Sequence, residues 1–148
     1  MNASHDSNDP FELERFVRAQ DGTYATALAE LRGGRKRSHW MWHVFPQVAG
    51  LGFSGMSQRY AIGSVAEARA YLAHVVLGLR LVECVAAVLQ VQGRSANAIF
   101  GSPDDLKLRS CATLFAQVSP PGSVFERVLE QYFDGERDLR TVELLKGA

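Results

Sequence analysis

Apolar side chains recur at intervals of three and four residues along most of this chain, which is the spacing of one face of an α-helix. Short polar residues stand before these runs, where their oxygens can accept the free N–H groups of a first helical turn. The clearest of these helix starts are Asp9, Ser64, Ser102, Ser123 and Asp138. No segment alternates apolar and polar residues for long enough to predict a strand. The pattern therefore predicts an all-α protein, folded as a compact irregular bundle of about six helices.

The most apolar part of the chain, residues 70–93, is interrupted by Arg80 and Glu83, whereas a membrane span needs about 20 predominantly apolar residues. We interpret this part as core helix. Gly78 divides it, so that either one helix kinks there or a second helix begins. A wide apolar stripe after Gly78 predicts that the following helix is the buried centre of the bundle. This stripe comprises Leu79, Val82, Val85, Ala86 and Leu89.

The longest stretch without a clear helical period is residues 33–63. It is about twice the length beyond which loops without secondary structure become uncommon and are usually functional. We therefore expect a long ordered loop at residues 33–63, and we expect the chemistry of the protein to be found there.

Length and composition predict one domain at residues 9–146, preceded by a disordered tail at residues 1–8. Sixteen basic and sixteen acidic side chains cancel, which argues against binding of membranes or nucleic acid through the overall field. The polar N-terminus does not resemble a secretory signal, so a cytoplasmic location is expected. Cys84 and Cys111 lie in apolar helical patterns and are predicted to be buried free thiols. A monomer or a weak homodimer is expected.

Residues 35–47 concentrate charge, both tryptophans and two of the four histidines. One interpretation is a ligand site, in which an aromatic ring stacks on a planar group while a basic side chain binds an anion. The other interpretation is that the aromatic residues seal the core beneath a long loop and the cations are solvated. The candidate ligand-binding residues of this segment are Arg35, Lys36, Trp40, Trp42 and Gln47. His39 lies between the cations and the tryptophans and is a candidate acid or base.

A second group of polar residues surrounds the helix start at Ser102. Asp104 and Asp105 suit the first turn of a helix, where carboxylates complement the dipole and cap open N–H groups. The functional alternative is that one of these carboxylates acts as a base or accepts a ribose hydroxyl, while Lys107 pairs with it or with a substrate. Asp104 is accordingly a candidate catalytic residue, and Asp105 and Lys107 are candidate ligand-binding residues.

The chain contains the following motifs, in this order: Gly34-Arg35-Lys36, Ser38-His39-Trp40-Met41-Trp42, Val44-Phe45-Pro46-Gln47, Tyr60-Ala61-Ile62, Arg80-Leu81-Val82-Glu83, Ile99-Phe100-Gly101, Asp104-Asp105-Leu106-Lys107-Leu108 and Thr113-Leu114-Phe115. Together they resemble the signature of a bacterial family of conserved hypothetical proteins that is known only as a domain of unknown function. The resemblance implies a compact, mostly helical fold and carries no agreed activity, cofactor or catalytic residue. Some relatives are labelled calpastatin-like, but no residue here supports protease inhibition. His43 stands where the family usually has Phe or Tyr, which argues against a catalytic role for it.

These observations favour a domain that binds, or an enzyme that acts on, a small anionic planar ligand of nucleotide type. Whether it catalyses a reaction stays open, and neither a cofactor nor a metal site is predicted. The alternative is a module that binds RNA or a protein partner through residues 35–47. A third hypothesis is that all these residues merely pack. If the first hypothesis holds, one cleft should gather Lys36, His39, Trp42, Gln47, Asp104 and Lys107.

Overall fold

The computed structural model describes residues 8–147, and within them the chain folds into ten helices and no strands. The predicted all-α class is confirmed, whereas residues 1–7 of the predicted disordered tail lie outside the described part. The helices are α1 (Glu14–Gln20), α2 (Tyr24–Arg32), α3 (Met41–Val44), α4 (Gly55–Arg59), α5 (Val65–Ala73), α6 (Leu77–Gln90), α7 (Ala96–Phe100), α8 (Asp104–Ala116), α9 (Val124–Phe133) and α10 (Leu139–Lys146).

The predicted number of about six helices is too low, because three of the helices are very short. Helices α3, α4 and α7 have four or five residues each, so that none completes the two turns needed for a visible apolar period. The predicted start at Asp9 also differs. The carboxylate of Asp9 accepts the N–H groups of Leu13 and Glu14 at 2.7 and 3.0 Å, so that the regular helix α1 begins at Glu14.

Helices α5 and α6 meet at an angle of 87°, so Gly78 marks the beginning of a new helix rather than a kink. A Cβ atom at Gly78 would lie 2.1 Å from the backbone oxygen of Leu72, which shows that only glycine allows this close crossing. Within residues 8–147, no single helix is long and apolar enough to cross a membrane. The angle between α5 and α6 divides the apolar residues of this region between two separate helices.

Helix α6 is the buried centre of the bundle, as predicted, but part of its predicted buried stripe is wrong. Leu79 and Val82 are exposed, whereas Val85 and Leu89 are buried. The close approach of Gly78 to helix α5 fixes the rotation of α6 about its axis. The side chains three, seven and eleven positions after Gly78 therefore face inward, and these are Leu81, Val85 and Leu89.

Residues 33–63 are ordered but are not a loop throughout. They contain α3 and α4, and an isolated parallel bridge joins Val48 to Ile62. Their apolar side chains enter the core, where the buried residues are Trp40, Met41, Val44, Phe45, Val48, Tyr60 and Ile62. Burial of these side chains holds the segment on the bundle.

Arg15 anchors the end of this segment. Its guanidinium donates to the carbonyl oxygens of Arg59 and Ala61 at 2.9 and 2.8 Å and to the carboxylate of Glu67 at 2.8 Å. One side chain on α1 thereby joins the segment to α5. Sequence reasoning missed this residue, because most of its partners are backbone oxygens that any residue provides.

The two thiols are free and buried, as predicted. Burial raises the pKa of Cys84 to about 12 and raises the pKa of Cys111 well above its usual value. Both groups therefore stay protonated at neutral pH, and neither is an activated nucleophile.

Replacing Gly78 by Ala tests the crossing of α5 and α6. The added Cβ must push the backbone of Leu72 away, so we expect the free energy of unfolding to fall by about 1–3 kcal/mol. Gly55→Ala is a matched control, because a Cβ at that helical position meets nothing within 4 Å. Urea unfolding of both variants measures the difference. An unchanged stability of Gly78→Ala would contradict the crossing geometry.

Candidate functional site

The carboxylate of Glu30, in the last turns of α2, holds the chain that leads into the site. Its Oε1 accepts the backbone N–H groups of Arg37 and Ser38 at 2.8 and 3.0 Å and the indole N–H of Trp40 at 2.9 Å. Its Oε2 accepts the hydroxyl of Ser38 at 2.6 Å. Four donors from three neighbouring residues therefore converge on one side chain and fix residues 37–40 against α2.

These hydrogen bonds keep Glu30 ionised. Burial alone would raise the pKa of this carboxyl, but the donors from Ser38, Arg37 and Trp40 outweigh that effect and lower its pKa to about 2. The turn is therefore built around a negative charge. Trp40 owes its orientation to that charge, because its N–H is the one polar group of an otherwise apolar ring.

Lys36 connects this turn to α8. Its backbone N–H donates to the oxygen of Ile99 at 2.7 Å, and its side chain is buried. The ammonium donates to the oxygen of Ser38 at 2.6 Å and pairs with Oδ2 of Asp104 at 2.9 Å. It also lies 5.1 Å from the centre of the Trp40 ring, within the range of a cation–π contact.

Lys107 makes the matching set of contacts from the first turn of α8. Its ammonium pairs with Oδ1 of Asp104 at 3.1 Å and lies 4.1 Å from the centre of the Trp42 ring. Each oxygen of one carboxylate therefore binds an ammonium, and each ammonium covers an indole. Burial would raise the pKa of Asp104, but Lys36 and Lys107 lower it, so Asp104 is ionised at neutral pH.

These groups line a cavity of about 260 Å³ between residues 36–43 and the start of α8. Its ionisable lining is Lys36, His39, His43, Asp104 and Lys107, and its apolar lining is Trp40, Met41, Trp42 and Met56. Two ammonium groups face one carboxylate, which leaves an excess positive charge. We refer to this cavity as the lysine–tryptophan pocket.

Six of the nine candidate residues line this pocket: Lys36, His39, Trp40, Trp42, Asp104 and Lys107. Of the six side chains expected to gather in one cleft, all but Gln47 are among them. The structure brings these residues together, and their roles stay predictions. The Trp40 side chain is only 1% exposed, which distinguishes it from Trp42. Trp40 therefore belongs to the core and contributes part of the pocket wall from there. Met41 and Met56 also line the pocket, and sequence reasoning missed both. An isolated Met in an apolar context is typical of any core, so no sequence pattern distinguishes them.

Three candidate residues lie elsewhere. Arg35 lines a separate depression together with Arg37. Gln47 is buried, and its Nε2 has no hydrogen-bond partner among the described residues. Asp105 lies in the first turn of α8, where its charge complements the helix dipole, and it accepts the N–H of Leu106 at 2.9 Å and the side-chain amide of Asn97 at 3.3 Å.

His43 forms part of the pocket wall. Its ring meets Tyr60 edge to face, with 4.6 Å between the ring centres. Both ring nitrogens are buried and lack a partner within residues 8–147. Burial, together with the charge of Arg59, lowers the pKa of His43, so the ring is neutral. It therefore replaces the aromatic residue expected at this position and adds no charge to the pocket.

A larger cavity, of about 380 Å³, lies between the ends of α2 and α6. Its charged lining is Arg32, Glu83 and Arg94, and it contains none of the candidate residues. Arg32 and Glu83 are both exposed and 3.7 Å apart, a weak surface pair. The lysine–tryptophan pocket is therefore the more organised of the two. Within residues 8–147, no group of three His, Cys, Asp or Glu side chains is arranged to hold a metal ion.

Comparison with known proteins finds a family whose sequence model matches the chain and a solved structure that has a similar fold. Residues 10–145 match the model of a family described as protein of unknown function (DUF1810). The chain is similar to the crystal structure of the conserved hypothetical protein Rv1873 from Mycobacterium tuberculosis, with 55% sequence identity and a TM-score of 0.91. That similarity covers 93% of this chain and 99% of the other. None of the curated proteins compared matches the chain.

Replacing Glu30 by Gln tests whether this carboxylate organises the turn. The amide can accept fewer of the four donors, so we expect the free energy of unfolding at pH 7 to fall by about 2 kcal/mol. The folded pKa lies below the usual value near 4.5, so the wild-type advantage exists above pH 4.5 and disappears as the pH falls towards 2. Urea unfolding at pH 7, 5 and 3, followed by tryptophan fluorescence, measures the free energy of unfolding of both proteins.

The matched control is Glu130→Gln, because Glu130 is exposed on α9. We expect this variant to keep wild-type stability at all three pH values. If Glu30→Gln loses no more stability than Glu130→Gln at pH 7, the carboxylate does not hold the turn.

Proposed function

The chain belongs to the DUF1810 family of proteins of unknown function, and for this member of it we propose that the lysine–tryptophan pocket binds a small planar anion. The ligand class is a compound that carries a phosphate or carboxylate group on or near a flat ring, such as a nucleotide. The pocket would bind the anionic group between Lys36 and Lys107.

The observation that carries this proposal is the sharing of Asp104 between the two lysines. An ammonium has three N–H donors. Lys36 uses two of them, on Ser38 and Asp104, and Lys107 uses one, on Asp104. Three donors are therefore left without an assigned acceptor among the described residues, beside an excess positive charge. An anion supplies both the acceptors and the charge that this arrangement lacks.

The shape of the site favours a small molecule over RNA or a protein surface. A module that stacks bases needs exposed aromatic rings. In residues 35–47, however, Trp40 and Phe45 are buried and Trp42 is only partly exposed. The basic and aromatic residues form a concave wall, and a cavity of about 260 Å³ lies just below the usual range of ligand sites, about 300–1,000 Å³. The ligand proposed is therefore small.

The two predicted acid–base residues would have different roles. Both oxygens of Asp104 hold an ammonium, so this carboxylate is poorly placed to take a proton from a ligand. We assign Asp104 the role of a counter-ion that keeps Lys36 and Lys107 apart and oriented. His39 is exposed at the edge of the pocket, so it is the residue that would exchange a proton if the bound ligand reacts.

Lys107→Met tests the proposal, with adenosine 5′-monophosphate and inorganic phosphate as probes. The substitution keeps an unbranched apolar stem and removes one ammonium, while the pair of Lys36 and Asp104 remains. We expect the affinity for both probes to fall tenfold or more, since a hydrogen bond to a charged group contributes about 1.5–3 kcal/mol. Isothermal titration calorimetry of the purified protein measures it.

Lys146→Met is the matched control, because Lys146 is exposed in the last turn of α10, outside the pocket. It removes the same charge and should change both affinities by less than about twofold, since exposed charges at a distance are screened by salt. Equal losses in the two variants would show binding through net charge alone. If wild-type protein binds neither probe at millimolar concentration, the proposal is wrong.

A further inference from the structure

We propose that Phe53, together with Met56, is the specificity-determining surface that contacts the planar part of the ligand. This inference rests on the proposed function and adds to it. It assigns the recognition of the flat ring to residues outside the tryptophan motif, and it requires an aromatic ring on the ligand rather than an anion alone.

Both tryptophan rings already have cationic partners. The ammonium of Lys107 lies over the Trp42 ring, and that of Lys36 lies near the Trp40 ring. The Trp40 side chain is also 1% exposed, so a ligand has no access to its faces. The tryptophans therefore hold the lysines in place by cation–π contact, and a ligand ring needs another partner.

The segment at residues 52–56 provides such a partner for the ligand ring, beside the mouth of the pocket. A Cβ at Gly52 would lie 3.8 Å from Cη2 of Trp42, so this backbone runs along the outer edge of the indole. Met56 lines the pocket and is 43% exposed. Phe53 lies between these two contacts in sequence and is 85% exposed. The segment that runs along Trp42 thus carries two large apolar side chains that are exposed, Phe53 and Met56.

The backbone beneath Phe53 is well defined. The hydroxyl of Ser54 accepts the N–H of Ser57 at 3.1 Å and caps α4, and the hydroxyl of Ser57 donates to the oxygen of Ser54 at 2.9 Å. The side chain of Gln58 donates to the oxygen of Phe53 at 3.1 Å. A Cβ at Gly52 would lie 2.7 Å from Oγ of Ser57, so the turn has no room to collapse inward.

A fixed backbone that presents a free aromatic side chain is suited to ligand contact. Rotation about the side-chain bonds of an exposed residue takes picoseconds to nanoseconds, so the ring can close on a ligand without rearrangement of the fold. Phe has only two rotatable side-chain bonds and loses little entropy when it is immobilised. Met56 is flexible and polarisable, and it fits against rings of different outline.

The test compares two probes that differ only in the flat ring, adenosine 5′-monophosphate and ribose 5-phosphate. We expect the wild-type protein to bind the nucleotide more tightly. Phe53→Ala should weaken binding of the nucleotide about tenfold, as expected for the loss of one stacking contact, and should leave binding of ribose 5-phosphate within about twofold. Leu139→Ala is the matched control, because Leu139 is 73% exposed at the start of α10, and it should change neither affinity.

The possible failures of the two proposals are distinguishable. If ribose 5-phosphate and the nucleotide bind wild-type protein equally well, or if Phe53→Ala leaves nucleotide binding unchanged, the anion site stands and the role of Phe53 is wrong. If Phe53→Ala weakens both probes equally, Phe53 supports the fold of the pocket and does not contact the ring. If neither probe binds wild-type protein, the proposed function fails and this inference fails with it.

Discussion

The hydrogen bonds that converge on the carboxylate of Glu30 determine whether this protein has a pocket at all. They fix residues 37–40 against α2 and turn the indole of Trp40 into the core. Lys36 binds the oxygen of Ser38 within the same turn, so its ammonium is directed at Asp104. Without the carboxylate of Glu30, four donors would lose their acceptor, three of them in partly buried hydrogen bonds, and the cost of that would favour a different path for the chain.

The pocket itself depends on a balance of charge. Two lysines close to each other would repel, and a single carboxylate between them offsets that repulsion while leaving a positive excess. The indoles of Trp40 and Trp42 exclude water from one side of each ammonium and still interact with it favourably. Such a site is organised before a ligand arrives, so little ordering of side chains remains to be done on binding.

Much of this arrangement was readable from the sequence, because it follows from local patterns. The apolar period and the polar helix starts predicted the all-α class, and the skewed composition of residues 35–47 pointed to the pocket. Arg15 was missed because its partners are mostly backbone oxygens, two of which lie 44 and 46 residues away. Glu30 was missed because its donors lie 7 to 10 residues further along, across the turn that follows α2, and no helical spacing links them. The rotation of α6 was missed because it depends on a contact between Gly78 and the backbone of another helix.

The central claim is that Lys36 and Lys107 hold an anion between them. The most direct measurement is a crystal structure of the wild-type protein with adenosine 5′-monophosphate at saturating concentration. We expect phosphate oxygens within about 3 Å of Nζ of both lysines, the distance of a charge-assisted hydrogen bond. A nucleotide bound elsewhere on the protein, with neither ammonium group in contact with a phosphate oxygen, would contradict the account.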